Sequence, residues 1–360
     1  MGTFPSITLA GGYNEAYPRN DVIIAGLKEM GVLLKRRHVA WSSPFHRTRR
    51  LKKLLHKKPV STDIVFVPSF CHHEVPVVRR HTPKPLFFDP LISRYESKIN
   101  DYKKASPWSI HALSNYLADK RALKAADVVF ADTEEHKKFF CEKYGISEQK
   151  IHVLYVGYNA HDFYPASQDN SRKDKPITIG FYGSFIPLHG VDVIIDAADV
   201  LRNRADIRFE LVGSGHTFSA AQAQVQSLGL NNVRLSGSVD YKDLPRKIRS
   251  WDICLGIFGN TRKTDMVIPN KVFHYAACGK PILTKDTPAI KELFADKESI
   301  ITTDADAHSV AASIEILLKN TNLRTKLAEN ALRCVSKRCT HLHIARNFLD
   351  TADGYLCRGV

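Results

Sequence analysis

Residues 251–281 read WDICLGIFGNTRKTDMVIPNKVFHYAACGKP. The stretch opens on an apolar run, 253–258, of the length and composition of a buried strand. A polar loop, 259–268, follows and carries Arg262, Lys263 and Asp265. Pro269 stands where a first helical residue would, with Asn270, Lys271, Phe273 and Tyr275 after it. Gly279 marks the helix end, and Pro281 opens a second apolar run, 282–284. Strand, loop, helix and strand in this order set cations around a helix N-terminus. Its unpaired N–H groups and positive dipole suit an anion, above all a phosphate. One more βαβ unit with a solvated basic loop fits the same residues.

The alternation extends outward in both directions. Upstream, apolar runs at 177–182, 208–212 and 233–235 lead into Gly183-Ser184, Gly213-Ser214-Gly215 and Gly237-Ser238. Each glycine turn falls where a strand ends, the edge at which doubly wound sheets bind ligands. Nearer the N-terminus, strands are predicted at 7–10, 63–67, 86–88, 128–131 and 151–156, with helices at 21–30 and 110–126 between them. Gly11-Gly12 closes the first strand, either as a tight turn or as a close backbone approach to a ligand. Strand and helix alternating in this way specify a parallel α/β sheet. The pattern runs twice, around a polar segment holding Asp169, Asn170, Ser171, Arg172 and Lys173 that reads as a linker.

Composition narrows the partners. A net charge of +15 over 360 residues calls for anionic surroundings: a lipid surface, nucleic acid or phosphorylated substrates. Between Pro44 and Pro59, HRTRRLKKLLHKK sets Leu51, Leu54 and Leu55 on one helical face. Arg47, Arg49, Arg50, Lys52, Lys53, Lys57 and Lys58 crowd the rest. Such a basic amphipathic helix can lie on an anionic membrane; a solvated helix packing three leucines on a core has the same pattern. No aromatic interleaving or RNA-type signature accompanies it, so no nucleic-acid partner is expected. No apolar run approaches the ~20 residues that cross a bilayer, and MGTFPSITLAGG has no secretion pattern. Seven scattered cysteines fit reduced thiols, hence a cytoplasmic chain. Cys334, Cys339, His341 and His343 match no zinc spacing. Asp304-Ala305-Asp306 reads as a helix cap, and no metal is expected. No G-x-G-x-x-G opens a helix with an acid after it, which excludes an NAD-type site.

In order and spacing, GFYGSFIPLHG (180–190), LVGSG (211–215), the LGL, NNV and LSG run (228–237), WDICLGI (251–257) and PNKVFHYAACGKPI (269–282) resemble GT-B glycosyltransferases of family 4. GGYNEAYPRN, PLFFDPLISRYE and KIHVLYVGYN give a thinner likeness in the first half. The resemblance implies two Rossmann-like doubly wound domains facing across a crevice. They would span 1–160, which binds acceptor, and 177–340, which binds nucleotide-sugar. A linker at 161–176 would join them, and a helix at 341–360 would return to the first. It implies transfer of a sugar from a nucleoside diphosphate, with retention and with neither metal nor cofactor. The task is to stabilise charge on the leaving diphosphate. Lys271, Arg262 and Lys263 are the implied phosphate contacts. Gly183 and Ser184 would close over the nucleotide, Gly11 and Gly12 would lie beside its phosphates, and the Ser238-Val239 turn would meet the base.

The chain departs from the resembled pattern at several points. Ser184 and His189 stand where relatives often carry an arginine and a lysine. Met266 and His274 stand where many carry two glutamates. His274 can still bond ribose hydroxyls, and Asp265 is the nearest carboxylate to the first of these positions. Asp89 takes the place of a strand-end histidine, where a carboxylate can take the acceptor's proton or simply cap the strand. His72-His73 is a further candidate. The expectation is a sugar transferase acting on a glycan or lipid-linked acceptor at an anionic inner membrane face. Its rivals are a non-catalytic polyanion binder on a degenerate scaffold and another GT-B enzyme, such as a sugar-nucleotide epimerase or a phosphorylase.

Overall fold

The computed structural model describes residues 4–165 and 175–357. The polar run at 169–173 lies outside these, as does most of the expected linker. The chain divides into two compact units, Met1–Gly157 with Cys339–Val360, and Tyr158–Arg338. Among the described residues no helix is long and apolar enough to cross a membrane.

The first unit is built on six parallel strands: β1 (Ile7–Gly11), β2 (Leu34–His38), β3 (Ile64–Val67), β4 (Leu86–Phe88), β5 (Val128–Ala131) and β6 (Ile151–Val153). They lie in the order β2-β1-β3-β4-β5-β6. The four central strands are buried along their whole length, as expected of a parallel sheet covered on both faces. β2, sequence LKRRH, is an edge strand with no buried residue, so it has no apolar alternation to read. The last helix, His341–Cys357, packs in this unit: His341 Nε2 lies 2.9 Å from Glu29 Oε2. Phe348 sits 5.1 Å from Phe66 and 5.0 Å from Phe130, ring centre to ring centre. Cys334, in the other unit, donates instead to the Leu293 carbonyl.

The second unit repeats the design with β7 (Ile177–Tyr182), β8 (Ile207–Val212), β9 (Val233–Ser236), β10 (Ile253–Leu255), β11 (Ile282–Lys285) and β12 (Ile301–Thr303). These are parallel in the order β12-β11-β10-β7-β8-β9. Ile179, Phe181, Phe209 and Ile253 form the core with Ile194, Ile195 and Ile314 of the covering helices. Trp251 is fully buried, and its indole N–H donates to Glu210 Oε2 at 2.8 Å, as a buried indole requires. A short helix, Arg262–Met266, replaces part of the expected loop, and Pro269 is the cap rather than the first residue of the helix Asn270–Ala277. Asp306 caps the helix Ala307–Lys319 by accepting from the Ser309 N–H at 2.9 Å.

Candidate active site

In the second sheet β7 and β10 are neighbours, although β8 and β9 intervene in sequence. Loops leaving the ends of such a pair run in opposite directions and open a ligand crevice. After β7 comes Gly183; after β10 come the Arg262–Met266 helix and then Asn270–Ala277. Lys271, His274 and Tyr275 lie three and four residues apart, on one helical face. That face is fastened to the end of β7: the Tyr182 N–H donates to Tyr275 Oη at 3.1 Å, and Tyr182 Oη lies 2.6 Å from His274 Nδ1. The fastening holds Lys271 against β7. Its side chain is only 3% exposed, its Nζ has no hydrogen-bond partner among the described residues, and it sits 4.6 Å above the Phe181 ring.

His189 approaches the same point from the turn Pro187–His189. It is buried, and Nδ1 has no hydrogen-bond partner. A Cβ on Gly183 would lie 2.8 Å from His189 Cε1, 3.1 Å from Nδ1 and 3.2 Å from Lys271 Nζ. Only glycine leaves these two nitrogens uncovered. Burial drives the Lys271 ammonium well below its usual range. Burial, then the fields of Lys271 and Lys263, do the same to His189. Both groups therefore hold their protons weakly until an anion arrives. Buried polar atoms in native folds are normally paired, so two orphans at a switch point mark a ligand position.

Arg262 is exposed and Lys263 buried on the short helix, and Asn270 opens the next one, half-buried. Asp265 is ion-paired with Lys285 Nζ at 3.2 Å, and that lysine also donates to the Gly259 carbonyl. Lys285, at the end of β11, went unread because its one signal was a cation closing an apolar run. Ser184 is exposed, with its backbone bonded to His189. Val239 is exposed beside Ser238, Asp240, Arg246 and Lys247 on a groove of 630 Å³. His274 differs from expectation: it is fully buried, stacked 3.7 Å from Phe163 at 11°, and depressed by burial to about 3. Nδ1 is taken by Tyr182, which fastens the ring from inside, while Nε2 is buried with no hydrogen-bond partner among the described residues. Met266 is buried as well.

In the first unit, two assignments change. Arg47 is not a surface cation: it is 2% exposed, with Nε 2.9 Å from Glu74 Oε1 and its guanidinium 4.1 Å from the Trp41 ring. It fills the space over Gly12, where a Cβ would lie 2.6 Å from Arg47 Cδ; Gly11 abuts Cys71 in the same way. Asp89 is buried with both oxygens engaged, Oδ2 to Arg19 Nε at 2.6 Å and Oδ1 accepting from the Leu91 N–H at 2.9 Å. Burial raises its carboxyl, against the pull of Arg19. This is an internal ion pair at a strand end, not an open base. His72 is buried on the Ile92 carbonyl and depressed by burial to about 3, and His73 to about 4. Arg49, Arg50, Lys52, Lys53, Lys57 and Lys58 are exposed, while Leu51 and Leu55 are buried and Leu54 half-buried.

Residues 162–333 match the family model described as glycosyl transferases group 1. A D-inositol 3-phosphate glycosyltransferase of Jonesia denitrificans is 23% identical over 236 residues, 60% of this chain and 54% of that protein. The chain thus spans about half the length of this curated relative. Among solved structures, HepE of Anabaena in complex with UDP-glucose superposes with a TM-score of 0.74 at 16% identity, covering 97% of this chain and all of that one. Sucrose-phosphate synthase of Thermosynechococcus elongatus gives 0.77 at 13% identity, covering 98% and 99%. At these identities the likeness shows the fold alone. The chain therefore carries a glycosyl transferases group 1 segment over residues 162–333, on the two-sheet architecture of the GT-B fold.

Proposed function

We propose that the protein transfers a sugar from a nucleoside diphosphate donor to a glycan, sugar-phosphate or lipid-linked acceptor, with retention and without a metal. The observation that carries this reading is the pair of buried nitrogens without a hydrogen-bond partner among the described residues, Lys271 Nζ and His189 Nδ1, both within 3.2 Å of where a Gly183 Cβ would lie. In the reaction the bond from the anomeric carbon to the outer diphosphate oxygen breaks and its electron pair stays on the phosphate. The acceptor oxygen forms the new bond and its proton passes to the departing phosphate oxygen. Lys271 and His189, with Lys263 and Arg262 close by in sequence, supply the fixed positive charge that favours this departure. Such a cation set makes a metal unnecessary for the leaving group. HepE, which shares the fold, was solved with UDP-glucose, and this favours UDP as the first nucleotide to test. The exposed cations of the helix Pro44–Lys57 support work at an anionic, inner membrane face.

The test is thermal unfolding with UDP, GDP, ADP or buffer. A ligand at a hundred times its dissociation constant adds roughly 2.7 kcal/mol. A shift with one nucleotide supports the site and names the base; no shift with any contradicts it. One observation favours a non-catalytic polyanion binder instead: Met266 and His274 are both buried, and Asp265 is paired with Lys285, so no free carboxylate occupies the positions of the two glutamates. Under that reading nucleotide binds, but no donor is consumed.

A further inference from the structure

The first unit exposes an apolar surface that the sugar-transfer chemistry does not use. Trp108 is 96% exposed and Ile110 87%, at the start of the helix Ile110–Ala125; Leu113, one turn on, is 55% exposed. Phe45, in the first turn of the basic helix, is 68% exposed. Phe45, Ile110 and Leu113 line one groove of 840 Å³, so the two helices present a continuous apolar face. Scattered exposed apolar residues are ordinary; three large ones lining one groove, with an exposed tryptophan two residues before Ile110, are not.

Charge identifies what covers this face. Within 75–125 the carboxylates are Asp89, Glu96, Asp101 and Asp119, and all four are buried. The basic helix contains no acid at all. The groove itself is lined by the cations Arg80 and Arg121 and by no carboxylate, exposed Lys103 and Lys104 come just before Trp108 in the chain, and Arg49, Arg50, Lys52 and Lys53 are exposed on the helix that carries Phe45. Exposed apolar side chains that include a tryptophan, with cations on the groove and on both elements that carry them, fit the interface of an anionic bilayer.

We propose that Trp108, Ile110, Leu113 and Phe45 insert into the headgroup region of an anionic membrane, while the surrounding lysines and arginines hold its phosphates. This rests on the membrane-face part of the function proposed above and names the residues that make the contact. It moves the depth-setting contact from the basic helix alone to a second helix, in which the sequence shows no amphipathic pattern.

The experiment is flotation of the intact protein with phosphatidylcholine vesicles, with and without phosphatidylglycerol, read together with tryptophan emission. The protein is expected to float only with the anionic vesicles, with a blue shift that Trp108→Phe diminishes. The variant Trp108→Ser/Ile110→Ser/Leu113→Ser should lose vesicle affinity by roughly tenfold or more per residue, the worth of burying one large apolar side chain. It should keep the wild-type thermal response to UDP, because none of the three belongs to the nucleotide site. Flotation of this variant equal to wild type would reduce the contact to surface charge and overturn the insertion. Failure of the wild type to float would overturn it outright. A wild-type dimer in light scattering that the variant converts to monomer would assign the face to a second copy instead. A missing nucleotide response with intact flotation would count against the sugar-transfer reading and leave this one standing.

Discussion

Replacing Lys271 by Met removes the buried ammonium while keeping a side chain of similar length. In the free protein Nζ has no hydrogen-bond partner among the described residues, and the Phe181 ring offsets part of its burial. An unsatisfied buried polar group costs about 1–3 kcal/mol, and a cation over a ring returns about 0.5–2 kcal/mol. The variant should therefore be more stable than wild type by ~1 kcal/mol, or about 2–4 °C in midpoint for a unit of this size. With nucleotide the order reverses. A hydrogen bond to a charged group is worth up to about 3 kcal/mol, so the dissociation constant rises by up to roughly a hundredfold. At a concentration giving wild type ~2.7 kcal/mol of stabilisation, the variant keeps ~0.4 kcal/mol. Differential scanning fluorimetry of both proteins with and without UDP reads this directly. The lowered pKa adds a check: between the folded value and 10.5 the unfolded chain binds more protons, so this residue's contribution makes stability rise with pH, a slope the variant should lose. A variant that is less stable without ligand, or that keeps the full nucleotide shift, would refute the reasoning.

Nucleoside diphosphate binding should take up protons, because an anion raises both Lys271 and His189 from their depressed values. Affinity should therefore fall as pH rises, and titration calorimetry in buffers of different ionisation heat should show net uptake; zero or release would contradict it. Asp89→Ala should cost about 3–5 kcal/mol of stability in urea unfolding, since it strands the Arg19 guanidinium. The double variant Arg19→Met/Asp89→Leu should recover most of this, whereas a catalytic base would leave stability unchanged in both. Gly12→Ala forces Arg47 aside and should cost about 1–3 kcal/mol by urea unfolding, as overpacking does.

Ten of the twelve strands described were legible because parallel strands buried on two faces read as short runs of Val, Ile and Phe, several of them (β1, β7, β8, β9 and β10) ended by glycine; β12 and β2 were not. β7, read as 177–182, has those bounds in the structure. β2 was not legible, since an edge strand of LKRRH buries nothing that would impose an alternation. Lys271 could be singled out from its place at a helix start. Its partner at Gly183, His189, was noted only as a missing charge, because the contact joins residues 82 positions apart. Arg47 misled for a physical reason: helical spacing put it among the cations, and only the tertiary placement of Glu74 and Trp41 explains why it is buried. His274 looked available for a ribose, but spacing carries no information on what stacks over a ring. Trp108 and Ile110 carried no sequence signal, because an exposed apolar residue looks the same as a buried one until the neighbours are known.

The most direct measurement is nucleoside diphosphate release from UDP-glucose, and from the corresponding GDP- and ADP-sugars, by the intact protein without added metal and in the presence of a chelator. Sugar transfer predicts slow release to water from one donor, faster release with a suitable glycan or sugar-phosphate acceptor, and loss of both in Lys271→Met. Binding of a nucleotide with no release from any donor, at any acceptor concentration, would contradict the account.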